Sequence, residues 1–254
     1  MSRLLLVLVL FSAPALADDF VERGRAAIEA RDFDEAADIF EDAVKADPDN
    51  AEYHHLYASA LGAGINDASL FRKAGMARKM RMAWERAVEL DPDHAGARVS
   101  LFQYYMNAPR IAGGDRDKAV AQLADIARIA DARADDLDLR MTHAFLCQQA
   151  EDWACAATAF EAVVAVEQDR MMAWYQIGRT ALRSGDRHER GVEALLRYLE
   201  HSPAEGEPSL AWAHTRLGQI YLAQGRRDDA RAQYDAALAL EPDHEEAKQA
   251  LGAL

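Results

Sequence analysis

The sequence predicts an all-α chain of about six stacked helical hairpins closed by a short C-terminal helix. Three observations carry that prediction. Half of the 254 residues are apolar, with only 14 Gly and 7 Pro, and Ala, Leu, Glu and Arg dominate, which are strong helix formers. The segment Gly24–Pro48 recurs as Gly218–Pro242: the small residue is followed at equal offsets by Ala36, Phe40, Ala43 and Pro48, and by Ala230, Tyr234, Ala237 and Pro242. An acid-Pro-Asp connector appears three times, as Asp47-Pro48-Asp49-Asn50, Asp91-Pro92-Asp93-His94 and Glu241-Pro242-Asp243-His244. Proline lacks an N–H and clashes inside a helix, so each connector ends a second helix.

In chain order, residues 1–17 come first. Arg3 is a short positive start, Leu4 to Phe11 an unbroken apolar run, and Ala15-Leu16-Ala17 a small-x-small pattern before Asp18. These are the parts of a secretory signal peptide, cleaved after Ala17. The run is too short for a bilayer, which needs roughly 20 residues. No Cys follows the cleavage point to take a lipid, and no twin Arg precedes the run, so the general export route is expected. The mature chain, Asp18–Leu254, is expected in the periplasm, with no transmembrane segment of its own.

The anchors then place repeats at about 17–50, 51–94, 95–133, 137–170, 171–205 and 211–244, with a cap at 245–254. Two helices of a hairpin cross closely where side chains are small, which pairs Gly24 with Ala36, Ala144 with Ala156, Gly178 with Gly191, and Gly218 with Ala230. Phe40, Trp84, Leu123, Phe160, Leu195 and Tyr234 are expected to fill the gaps between successive pairs. Repeats three and four are degenerate, with Asp131 and Gln168 where Pro is expected. Residues 62–71 in repeat two and 107–115 in repeat three are insertions, and repeats two and three also carry Met80 and Phe102 at crossing positions, so wider, repacked pairs are expected there. The cap is required because each hairpin hides its apolar flank only against a neighbour.

This pattern of small, large and Pro residues resembles the tetratricopeptide-repeat (TPR) motif, a 34-residue pair of antiparallel helices. The resemblance spans essentially the whole mature chain. It implies a right-handed α-solenoid of about six TPR hairpins plus a C-terminal capping helix, as one TPR domain over residues 18–254. The string Ala108-Pro109-Arg110-Ile111-Ala112-Gly113-Gly114, followed by Asp117-Lys118-Ala119, is similar to an exported bacterial TPR subgroup that supplies no activity.

The formal charge is −14, and loss of Arg3 with the leader makes it −15. Such a chain repels phosphate backbones, which argues against a nucleic-acid partner. His54 and His55 point about 100° apart on a helix, and the other His are scattered without zinc-type spacing, so no metal site is expected. No nucleophile elbow, phosphate-cradling Gly loop or His-Glu-x-x-His occurs, so neither cofactor nor catalytic residue is assigned. Cys147 and Cys155 flank the turn of repeat four, and an oxidising compartment permits a disulfide; two small buried residues remain the alternative. Arg72, Lys73, Arg78, Lys79 and Arg81 form an acid-free run that reads as a solvated helix face balancing acidic neighbours, or as a patch for an anionic surface.

The resemblance also implies that the first helices line a concave groove. Carried over by position, its peptide-facing residues are Met141, Phe145, Met172, Tyr175, Gln176, Arg179, Arg183, Trp212, Arg216 and Gln219, with Gln148, Gln149 and Thr215 beside them. Tyr175, Arg179 and Arg183 are spaced by four and share a helix face. Arginine forks suit carboxylates, so the groove is expected to take a peptide with an acidic group, unless the arginines pair internally and Trp212 packs between repeats. The expected function is an exported scaffold or adaptor binding a protein or peptide, not an enzyme. The alternative is a periplasmic client-holding chaperone similar to the TPR factors of cytochrome c maturation. Oligomeric state cannot be read from these residues.

Overall fold

The computed structural model describes residues 13–254, with side chains from Asp19 onward. The apolar run of the expected leader therefore lies outside the described residues, and the expected cleavage point falls within the first helix. The helices are α1 (Ala13–Glu29), α2 (Phe33–Ala46), α3 (Ala51–Gly64), α4 (Leu70–Leu90), α5 (Ala95–Asn107), a 3₁₀ turn (Arg110–Ala112), α6 (Arg116–Ala132), α7 (Leu137–Gln149), α8 (Trp153–Val166), α9 (Met171–Ser184), α10 (His188–Leu199), α11 (Leu210–Ala223), α12 (Arg227–Leu240) and α13 (Glu245–Gly252). No strand occurs among the described residues. No helix among them is long and apolar enough to cross a membrane.

The helices form two compact units, which divide within α6 between Asp125 and Ile126. In the first, α1 to α5 pack in chain order. In the second, α7 to α13 do so, and α11 also touches both α9 and α13. Within the second unit each hairpin thus buries its flank on the next, with Ile177, Leu195, Tyr198, Leu217, Ile220 and Tyr234 in its core.

The connectors work through their last residue as well as their proline. Asn50 Oδ1 accepts from the Tyr53 N–H, and His94 and His244 do the same through Nδ1 toward Ala97 and Ala247. Each thereby satisfies one of the four N–H groups that the start of a helix leaves without a partner. Asp32, Asp136 and Asp152 cap α2, α7 and α8 in the same way. Two of the scattered histidines are therefore helix caps.

The glycines of the crossings also admit a large residue, while a Cβ on Gly191 would lie 3.6 Å from the Gly178 carbonyl oxygen. A Cβ on Gly218 would lie 2.6 Å from Tyr234 Cε1, on Gly24 2.2 Å from Phe40 Cζ, and on Gly178 2.3 Å from Leu195 Cγ. Each of these three glycines makes room for the large residue of its own hairpin, one turn beyond the small residue named above. Phe40, Leu195 and Tyr234 are accordingly fully buried against their own first helix.

The insertions do not widen a loop so much as lengthen its surroundings. Residues 65–69 make a short turn, and the rest of the first insertion becomes the start of α4, which runs 21 residues and leaves Phe71 94% exposed. In the second, Tyr104 donates to the Ala112 carbonyl at 2.6 Å, and Gly114 packs so tightly that a Cβ would meet the Ala108 carbonyl oxygen at 1.8 Å. The basic run on α4 is largely paired: Arg72 with Asp34 at 2.8 Å, Lys79 with Glu41 at 3.5 Å, and Arg81 with Glu85 at 2.7 Å.

The turns between paired helices share a left-handed residue, at Arg31 (φ 61), Glu151 (φ 60), Gly185 (φ 74) and Gly225 (φ 76). Only glycine takes that conformation without a Cβ penalty of about 1–2 kcal/mol. Glu151→Gly should therefore raise stability by roughly 0.5–1 kcal/mol, once glycine's greater freedom when unfolded is subtracted. A urea titration with a higher midpoint and an unchanged slope is the expected result.

Candidate functional site

In the second unit, α9 and α11 lie side by side, and the loop from Glu200 to Ser209 returns between α10 and α11. These segments enclose an open cavity of about 1220 Å³. Tyr175, Gln176, Arg179 and Arg183 line it from α9; Trp212, Arg216 and Gln219 line it from α11. The structure does not bring Met141, Phe145 or Met172 to this cavity. Met141 is buried in the core, Phe145 packs edge-on against Phe160 at 5.4 Å, and Met172 Sδ accepts from Gln176 Nε2 at 3.5 Å. Thr215 is fully buried, donating to the Ala211 carbonyl at 2.8 Å. Gln148 Nε2 donates to Gln176 Oε1 and Thr180 Oγ1, so it joins α7 to α9 rather than facing a ligand.

The α11 wall is internally satisfied. Arg216 and Gln219 both hold Glu246 of α13, the glutamine at 2.7 Å, and the Arg216 guanidinium lies 4.9 Å from the Trp212 ring centroid. His244 packs edge-on against Trp212, with centroids 4.4 Å apart, and the indole is 36% exposed. Arg216 is thus a strut for the cap helix and not a free guanidinium, because α13 supplies the carboxylate. Burial works to raise the Glu246 pKa, but the bonds from Arg216 and Gln219 outweigh it and hold the carboxyl below its usual 4.5. With the folded value depressed, this contribution is present above pH 4.5 and is lost as pH falls through the folded value. Acidification through the depressed folded value should therefore loosen α13 first, read as hydrogen exchange rising at Ala247 before the core of α11.

The α9 wall is different. Arg179 and Arg183 are exposed, one turn apart on the same face, and neither has a carboxylate partner among the described residues. Arg179 makes one weak bond, to Gln176 Oε1 at 3.4 Å. Tyr175 below them is buried and tilted against Tyr198 at 5.3 Å, so it floors the cavity instead of projecting into it. Of the acids on the rim, Glu207 is tied to His201 and the Ala204 N–H, both at 2.8 Å, and Glu246 to Arg216. Glu241 is the remaining carboxylate. The loop residues Gly206, Glu207, Pro208 and Ser209 also form the rim. Sequence reasoning missed them because they fall between repeats; their signal was the Gly-Glu-Pro turn, with Gly206 at φ 87.

Tetratricopeptide-repeat family models match residues 21–77, 148–206 and 211–244, which is more than half of the chain. The chain belongs to the tetratricopeptide-repeat family. Among solved structures, this TPR protein is similar to YrrB, described as a TPR protein with an unusual peptide-binding site: 18% identity, covering 84% of this chain and 98% of that one, TM-score 0.60. It is similar to pilF of Pseudomonas aeruginosa, with 11% identity, 94% and 97% covered, and TM-score 0.60. PilW, described as a widely conserved type IV pilus biogenesis factor, aligns at 14% identity, 93% and 98% covered, TM-score 0.58. At these identities the likeness is one of fold. None of the curated proteins is detectably similar to the chain in sequence.

A second cluster lies away from the cavity. Cys147 and Cys155 are joined across the α7–α8 turn with Cα atoms 5.7 Å apart, and His143 Nε2 lies 3.4 Å from Cys147 Sγ and 3.6 Å from Cys155 Sγ. Sequence reasoning had treated His143 as one of the scattered histidines. The signal was its spacing of four from Cys147, which puts both on one helix face.

Proposed function

We propose that this TPR protein is an exported scaffold or adaptor that holds an extended, acidic segment of a partner protein in the groove between α9 and α11. The observation that carries the reading is the pair Arg179 and Arg183: two exposed guanidinium groups without a carboxylate partner among the described residues, beside a half-exposed Trp212, in a chain of formal charge −14. Arginine recognises carboxylates with a planar fork of donors, and an indole held rigid by its neighbours offers apolar area at little entropic cost. Export rests on the Arg3, Leu4–Phe11 and Ala15-Leu16-Ala17 pattern. The role is binding: the cavity offers Arg179, Arg183, amides and an indole, and two of its three carboxylates, Glu207 and Glu246, are already bonded within the chain.

The test is fluorescence anisotropy with short labelled peptides that carry two or more Asp or Glu beside an aromatic residue, against the same peptides with Asn and Gln. Acidic peptides should bind, and their affinity should fall as salt rises, because screening acts on exposed pairs. Equal affinity of both sets would contradict the reading.

A further inference from the structure

We infer that His143, Cys147 and Cys155 form a redox-gated binding site for a d10 cation of the Zn2+ class. The three ligand atoms come from α7 and α8 and lie within 4.8 Å of one another. His143 and Cys147 sit one turn apart on α7, and the α8 N-terminus, fixed by the Asp152 cap on the Cys155 N–H at 2.9 Å, brings the second sulphur to the same point. A tetrahedral zinc ion with Zn–N near 2.0 Å and Zn–S near 2.3 Å separates an imidazole nitrogen from a thiolate by about 3.5 Å. The two separations found are 3.4 and 3.6 Å. The imidazole nitrogen thus stands beside both sulphurs, within reach of an ion that the parted thiolates would hold.

The sulphurs themselves must part. A disulfide holds them at about 2.05 Å, and two thiolates on one tetrahedral zinc sit about 3.8 Å apart, so each moves by roughly 0.9 Å through side-chain rotation. Room exists on one side: Cys155 and His143 border a cavity of about 470 Å³, which Asp131, Asp152 and Arg140 also line. Two carboxylates against one guanidinium favour a cation there, and the open side leaves the fourth position for water or an exchangeable ligand. The chemistry is balanced with a dithiol reductant. It gives two electrons and two protons to the Cys147–Cys155 bond and leaves as its own disulfide. Zn2+ then takes both sulphurs as thiolates, and their two protons go to solvent. The α7–α8 hairpin is cross-linked in either state, by a covalent bond when oxidised and by the ion when reduced.

Cobalt serves as the visible probe. The purified protein is reduced with a phosphine, freed of reductant, and titrated anaerobically with Co2+. One equivalent should produce thiolate-to-cobalt charge transfer and the ligand-field bands of a tetrahedral ion, and Zn2+ should bleach both. The oxidised protein should show neither. His143→Gln keeps both thiols and should bind roughly tenfold or more weakly. Reduced protein with an intact far-ultraviolet circular dichroism spectrum and no such absorption would overturn the site. So would a Cys155→Ser variant with the wild-type cobalt spectrum, or a His143→Gln variant with undiminished affinity.

Discussion

Replacing Tyr234 with Ala should destabilise the second unit by about 3–5 kcal/mol, the usual loss when a buried aromatic is truncated. The ring is fully buried and rests on the bare backbone of Gly218, so its removal leaves a cavity bounded by α11 that helix backbones cannot collapse to fill. The reciprocal change reads the same contact. In Gly218→Ala, the new methyl would sit 2.6 Å from Tyr234 Cε1, and the ring must shift, at about 1–3 kcal/mol. The two effects should not add, because the alanine has nothing to clash with once the ring is gone. Urea unfolding of both single variants and the double variant checks this. Full additivity would mean that the glycine and the aromatic do not meet.

The second large effect concerns binding rather than folding. Arg179→Ala with Arg183→Ala should weaken capture of an acidic peptide by about 2 kcal/mol, or roughly thirtyfold, while leaving stability within about 0.5 kcal/mol. The figure is set below the sum for two charge-assisted hydrogen bonds because both side chains are exposed and solvent screens them. Arg216→Ala should behave oppositely. It strands Glu246, which burial already disfavours as an anion, and so should cost stability through α13 more than affinity. Binding isotherms paired with melting curves separate the two classes of arginine.

Much of this was legible in the residues. Offsets between Gly, Ala, aromatic and Pro positions report helix contacts directly, since a helix places residues three and four apart on one face. The large side chain that rests on each first-helix glycine was not legible. That the Tyr234 ring rests on Gly218 depends on the axial offset between antiparallel helices, and a spacing pattern does not encode that offset. The groove residues divide in the same way. Arg179 and Arg183 follow from their spacing of four, whereas Arg216 looked equivalent and is not, because its partner Glu246 lies 30 positions away on the cap helix. Met141 took a groove position by analogy and turned out to be core, whereas Tyr175 is buried yet floors the cavity, since apolar residues on a first helix also serve the seam between hairpins. The loop with Pro208, and the meeting of His143 with both cysteines, arise from tertiary closure across turns.

The central claim is that a partner's acidic segment lies in the groove between α9 and α11. Backbone amide shifts of isotopically labelled protein, followed while an acidic, aromatic-bearing peptide is added, test it most directly. The account predicts saturable changes concentrated at Arg179, Arg183, Trp212, Gln219 and the 206–209 loop, and their disappearance in the double arginine variant. Shifts centred elsewhere, or unchanged by removal of both arginines, would contradict it.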